Sequence, residues 1–228
     1  MKKKFLSLIV AVAMLFSIVT FVVQADNEDE TYFYFLASLI NSIDKYANTA
    51  SVYGAFLKHL KKSAQKSFKL ELLPYSNGIK GKVYNEDINE LINKIHGDVL
   101  YLDPPYNARQ YCTNYHILET IARYDNPEIK GKTGLRNYDT QKSKYCSKRT
   151  VKSEFEDLIK KANFKYIFLS YNNEGLMSVD VIKDIMSKYG TYSCFTQTYR
   201  RFKADKDNNR NTGKKETTEY LHCLIKEG

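Results

Sequence analysis

"DVLYLDPPYN", residues 98–107, decides how this chain is read. The stretch 98–102 is apolar almost without alternation, the pattern of a strand in a sheet covered on both faces. It runs into Asp103 and then two prolines. Proline fixes φ, restricts the residue before it and has no N–H. The backbone after Asp103 is therefore held extended, with the Asp103 carboxylate and the Pro104 carbonyl as acceptors and no competing donors. Ligands of open α/β sheets bind beyond the carboxyl ends of the strands, so a site is expected here. An exocyclic amino group has two N–H donors to match two acceptors, and Tyr106 offers a face on which a base can stack. The combination suits amino-methylation of a nucleobase flipped out of its duplex.

Working outward, helical and strand patterns alternate along the chain. Residues 31–43 have helical apolar spacing, 53–68 read as a basic amphipathic helix, and "YSNG", 75–78, breaks the chain. A short strand is expected at 81–85 and a helix at 86–95, ended by Gly97. Residues 115–124 are helical, and 126–152 form a polar, basic surface loop. The next helix, 153–162, opens on a capping box of Ser153 and Glu156. A second buried strand covers 166–172, a helix runs from Ser178 until Gly190 stops it, and 191–202 with 218–226 make an antiparallel pair. Such alternation predicts an α/β protein with a mostly parallel sheet and a C-terminal antiparallel hairpin.

The 228 residues suffice for one domain with a real core. Lys and Arg number 35 against 26 Asp and Glu, a formal charge of +9, which favours a polyanionic partner. Cys112, Cys146, Cys194 and Cys223 form no CxxC pair and have no His at zinc-ligand spacing, so free thiols and no metal site are expected. Residues 1–25 differ: "MKKK" precedes the apolar run 5–23 and then "VQA", the pattern of a secretory signal or membrane anchor. The expected organisation is a leader, 1–25, followed by one domain, 26–228.

The stretches 83–92, 98–125, 166–178, 199–205 and 218–226 resemble, in that order, the adenine-specific DNA methyltransferases that use S-adenosylmethionine. The resemblance implies a Rossmann-like methyltransferase sheet, with Asp103, Pro104, Pro105 and Tyr106 as the catalytic tetrad. It implies that Asp87 contacts the cofactor's adenine, although an Asp there also suits a helix N-cap. Asn114, Tyr115 and His116 would lie near the mouth of the pocket. Arg200, Arg201 and Lys203 would approach the target nucleotide, and the basic stretch 130–152 would touch DNA phosphates. DNA, a cognate restriction endonuclease and a cytoplasmic location are implied with them, and a membrane only if the leader is kept. The family's glycine-rich cofactor turn has no counterpart, because the first glycine is Gly54. The fold is accordingly expected to be N-terminally incomplete and to grip the cofactor's methionine end weakly, with Asp26 a remnant of the ribose-binding acid. Two alternatives stay open: an RNA guanine-N2 methyltransferase, and a non-catalytic exported or membrane-tethered relative.

Overall fold

The structure, a computed structural model, describes residues 28–49, 52–55, 57–75, 81–200 and 216–226. Asp26, Arg201, Lys203 and the leader lie outside the described residues. Among those described, no helix is long and apolar enough to cross a membrane. The described residues form two compact units.

The first unit holds 28–49, 57–75 and 117–126. Its main helix, α1 (Glu28–Tyr46), contains the predicted 31–43 segment. The helix predicted over 53–68 is not there: the described part of that stretch contains only a 3₁₀ turn, Lys62–Gln65. Within that stretch Asn48 holds the backbone: its Oδ1 accepts from Lys61 N at 2.9 Å and its Nδ2 donates to His59 O at 3.3 Å. Just beyond it, Ser42 Oγ accepts from Glu71 N at 2.9 Å and Ser38 Oγ from Leu73 N at 3.1 Å. Amides held this way do not need the i→i−4 ladder that a helix would supply.

The second unit holds 52–54, 81–116, 127–200 and 216–226. Its sheet comprises β1 (His96–Leu102), β4 (Asn163–Asn172), β5 (Gly190–Arg200) and β6 (Glu216–Lys226), in the order β1-β4-β6-β5. β1 and β4 pair in parallel, and β6 is antiparallel to both β4 and β5. Three strands thus share a direction and β6 alone opposes them, which gives the expected mostly parallel α/β sheet with a C-terminal hairpin. The small ribbon β2 (Ile129–Lys130) with β3 (Leu135–Arg136) stands apart.

Two helices cover one face of the sheet. α5 (Val151–Lys161) places Val151, Phe155, Leu158 and Ile159 on one stripe, and α6 (Val179–Met186) adds Ile182, Ile185 and Met186. They close over Leu100, Leu102, Ile167, Leu169 and Leu224. Each such side chain, fully buried, contributes about 1.5–3 kcal/mol. Val151 belongs to the stripe, so α5 starts before the predicted capping box; Ser153 lies inside the helix and donates to Thr150 O. α6 begins beside Ser178, as expected, and Ser178 is its N-cap, accepting from Val181 N.

Three further expectations are corrected. β1 is buried on one face only: Val99 is 56 % and Tyr101 61 % exposed, while Leu100 and Leu102, which alternate with them, are buried. Residues 81–85 form no strand, having no neighbouring strand to complete their hydrogen bonds. The helix after them shrinks to α2 (Ile88–Leu91), and Gly97 lies within β1, where a Cβ would come 3.1 Å from the ring of Phe164 on β4.

One buried polar group sets an acid limit on the fold. His222 on β6 is fully buried, its Nδ1 lies 2.8 Å from the Tyr192 hydroxyl, and its Nε2 has no hydrogen-bond partner among the described residues. Burial pulls its pKa down to about 4, against about 6.5 in the unfolded chain. Between those values the unfolded chain binds a proton that the folded chain refuses. Stability is therefore full above pH 6.5 and falls by as much as roughly 3 kcal/mol as pH drops to 4. Urea unfolding of parent and His222→Leu at pH 7 and pH 4.5 should show a clearly smaller acid loss in the variant. Equal losses would mean that His222 is not the group that titrates.

Candidate active site

β1 ends at buried Leu102, and Asp103 follows it, exposed at the carboxyl end of the strand. Pro104 and Pro105 are half-buried, and Tyr106 packs part of its ring against the core. The far side of the DPPY turn is held by the turn that follows β4. Leu176 N donates both to Tyr106 O at 2.9 Å and to the Tyr171 hydroxyl at 3.1 Å. Met177 N adds a longer bond to the same hydroxyl, 3.4 Å. Burial of Tyr171 pushes its phenol pKa up, while the two amides draw it down. Asn172 closes the turn, accepting from Glu174 N with its side chain and from Gly175 N with its carbonyl. Gly175 has to be glycine: a Cβ there would stand 2.0 Å from Tyr171 Cε1. Sequence reasoning did not single out the turn at 172–175 as the support of the Asp103–Tyr106 segment.

Downstream, α3 (Tyr111–Asn114) is tied from several sides. Gln110 Nε2 donates to Ser143 O at 3.1 Å, and Ser143 N donates back to Gln110 Oε1 at 2.8 Å. Tyr53 N donates to Asn114 O, and Gly54 lets that turn approach, since a Cβ there would lie 3.2 Å from Thr113 O. Asn114 is half-buried and Tyr115 exposed. His116, first residue of α4 (His116–Arg123), is fully buried, with Nδ1 2.9 Å from Thr113 O and Nε2 2.8 Å from Thr133 O. With both nitrogens facing backbone carbonyls, the ring ties the end of α3 to the chain at Thr133.

The segment 126–152 is more than a solvated loop. Arg136, Tyr145 and Cys146 are buried, and two 3₁₀ turns sit at Asp139–Gln141 and Lys144–Cys146. Tyr145 Oη donates to Asn89 Oδ1 at 2.9 Å, and Asn89 Nδ2 donates to Glu154 O and to Asp157 Oδ2. Sequence reasoning missed Asn89, which fastens α2 to α5 and so fixes the position of Asp87. Asp87 is the N-cap of α2: Oδ1 accepts from Asn89 N at 2.9 Å, and the residue stays exposed. Lys142 pairs with Asp139 at 2.6 Å and Lys144 with Glu154 at 3.4 Å, while Lys132, Lys148, Arg149 and Lys152 are exposed. Arg200 ends β5, its backbone in register with Glu216. All four cysteines are free, and no group of metal-ligating side chains occurs among the described residues.

The DPPY turn stands at the carboxyl end of a strand in a mostly parallel α/β sheet, the place where such sheets bind their ligands. The chain belongs to the D12 class N6 adenine-specific DNA methyltransferases, whose family model matches residues 27–185. It is 57 % identical over 200 residues to the type II methyltransferase M.NlaIII of Neisseria lactamica, covering 87 % of this chain and 59 % of that protein. It is 49 % identical over 175 residues to M.FokI of Planomicrobium okeanokoites, covering 75 % of this chain and 27 % of that one. M.CviAII of Paramecium bursaria Chlorella virus 1 is 38 % identical over 177 residues, with 77 % and 52 % covered. The chain thus spans less than two thirds of the length of these relatives. No solved structure matches. Neither alternative, the RNA guanine enzyme or the non-catalytic relative, is supported by these matches.

Proposed function

We propose that this chain transfers a methyl group from S-adenosylmethionine to adenine N6 in DNA, as the modification partner of a cognate restriction endonuclease in the cytoplasm. The observation that carries the reading is the Asp103–Tyr106 turn: an exposed carboxylate and a neighbouring prolyl carbonyl at a strand end, anchored by the Leu176–Tyr106 bond, in a chain of the adenine methyltransferase family. The Asp103 carboxylate and the Pro104 carbonyl accept the two amino N–H bonds and so turn the nitrogen lone pair out of conjugation. Pro105 keeps the backbone extended, and Tyr106 stacks on the flipped base.

S-adenosylmethionine supplies the electrophilic methyl group when bound. Asp87 fits its adenine end, because the carboxylate is exposed and its orientation is fixed by the Asn89 amide. The methionine end would be held by residues outside those described, Asp26 among the candidates. Asn114, Tyr115, Arg200, Arg201 and Lys203, with the exposed cations of 130–152, are the proposed DNA contacts.

The full chain is incubated with tritiated S-adenosylmethionine and with adenine-containing duplex DNA, ribosomal RNA or no acceptor, and cofactor binding is followed by calorimetry. Label in N6-methyladenine of DNA alone is expected. Label in RNA guanine, or heat of cofactor binding without any transfer, overturns the proposal.

A further inference from the structure

We infer that Tyr111, backed by Tyr115, is a stacking platform for a nucleobase beside Asp103, an assignment that rests on the DNA methyltransferase reading of that site. The two rings are 47 % and 42 % exposed, with centroids 6.4 Å apart and planes tilted by 33°. They stand on and just after α3, a helix of four residues. So short a helix does not form in isolation, and the fold holds it with bonds from every side. Gln110 and Ser143 exchange two hydrogen bonds at its start, and Cys146 Sγ donates to Arg109 O. Thr113 Oγ1 donates to Gln110 O, while His116 and Tyr53 N secure the carbonyls of Thr113 and Asn114. Single exposed aromatics are ordinary. A pair on a clamped short helix is different, because the clamping holds in place two rings that each leave nearly half of their surface open.

The surroundings select the occupant. Tyr111 follows directly on the segment that leads out of the Asp103–Tyr106 turn and stands where Gln110 and Ser143 clamp the chain. Desolvation first, and then Tyr106 and Asp103, push its phenol pKa up, in keeping with that placement. An anionic Asp103 repels phosphate, which leaves the base as the part of a nucleotide able to approach. Aromatic rings accept the π-face of any base without charge. A platform of this kind needs no hydroxyl, so phenylalanine should replace Tyr111.

The test uses the full chain and a single-stranded 12-nucleotide DNA carrying one 2-aminopurine. Affinity is followed by anisotropy at several salt concentrations, and stacking by the quenching of 2-aminopurine emission. Tyr111→Ala is expected to weaken binding roughly tenfold at every salt concentration and to relieve the quenching. The slope of log affinity against log salt should stay as in the parent, since no phosphate contact is lost. Tyr115→Ala should act in the same sense but less, and Tyr111→Phe should bind within about twofold of the parent. Thermal unfolding reports whether α3 is intact, and if Tyr111→Ala is destabilised, the Phe variant decides. Parental affinity and quenching in Tyr111→Ala, a changed salt slope, or a Phe variant as weak as Ala overturns the platform. Parental methyl transfer together with unaffected Tyr111→Ala binding sinks the platform alone. Tyr111-dependent quenching without any methyl transfer sinks the methyltransferase reading alone.

Discussion

Asp103→Ala is expected to lower methyl transfer by at least about a hundredfold, some 2.7 kcal/mol of transition-state stabilisation, while the protein unfolds as the parent does. The carboxylate is the stronger of the two acceptors offered to the amino group, and without it the Pro104 carbonyl alone cannot turn the nitrogen lone pair outward. The fold should not suffer, because Asp103 is exposed and the burial at this end of β1 is carried by Leu100 and Leu102. Asp103→Asn should fall between the two: it keeps one acceptor oxygen but sets an N–H₂ against the substrate's own donors. Single-turnover rates with thermal unfolding of the same samples make the measurement. A rate for Asp103→Ala within about threefold of the parent, less than 1 kcal/mol, would remove Asp103 from the reaction.

The second large effect is expected away from the chemistry. In Gly175→Ala the new methyl would stand 2.0, 2.7 and 2.8 Å from Cε1, Cζ and Cδ1 of Tyr171. That ring is 3 % exposed and its hydroxyl holds the amides of Leu176 and Met177, so it has nowhere to go. Overpacking of this kind costs about 1–3 kcal/mol or more. It should also pull Leu176 N away from Tyr106 O and loosen the catalytic turn, lowering turnover beyond what the stability loss explains. Tyr171→Ala removes the obstacle, so the double variant should be less destabilised than the sum of the two single ones. A cycle of urea unfolding measurements tests this, because contacting residues couple where distant ones add. Strict additivity would place the cause elsewhere than in the Gly175–Tyr171 contact.

How much was legible differs from element to element. "DVLYLDPPYN" identified both a strand and the site at its end because proline chemistry is local: φ, the missing N–H and the extended residue before it need no tertiary context. The start of a helix at Ser178 was readable because serine there suits an N-cap, which is also a local matter. The capping box at Ser153 had equally good local chemistry and lost, because Val151 belongs to the buried stripe and drew the helix start toward itself. The basic 53–68 segment had helical spacing and lost to Asn48, a partner for the backbone of His59 and Lys61 that only the folded chain brings within reach.

The sequence by itself determined the α/β order, the carboxylate and carbonyl at the end of β1, the free thiols and the family, since each follows from a short run of residues or their succession. The tertiary structure alone decided that β1 is covered on one face, that His116 faces inward, and that Asn89, Tyr145, Tyr171 and Gly175 hold the site. Those roles depend on which groups meet across many residues of chain: Tyr145 reaches Asn89 across 56 positions, and Gln110 reaches Ser143 across 33. Residue type limits what a side chain can bond to, but only packing decides which partner it finds.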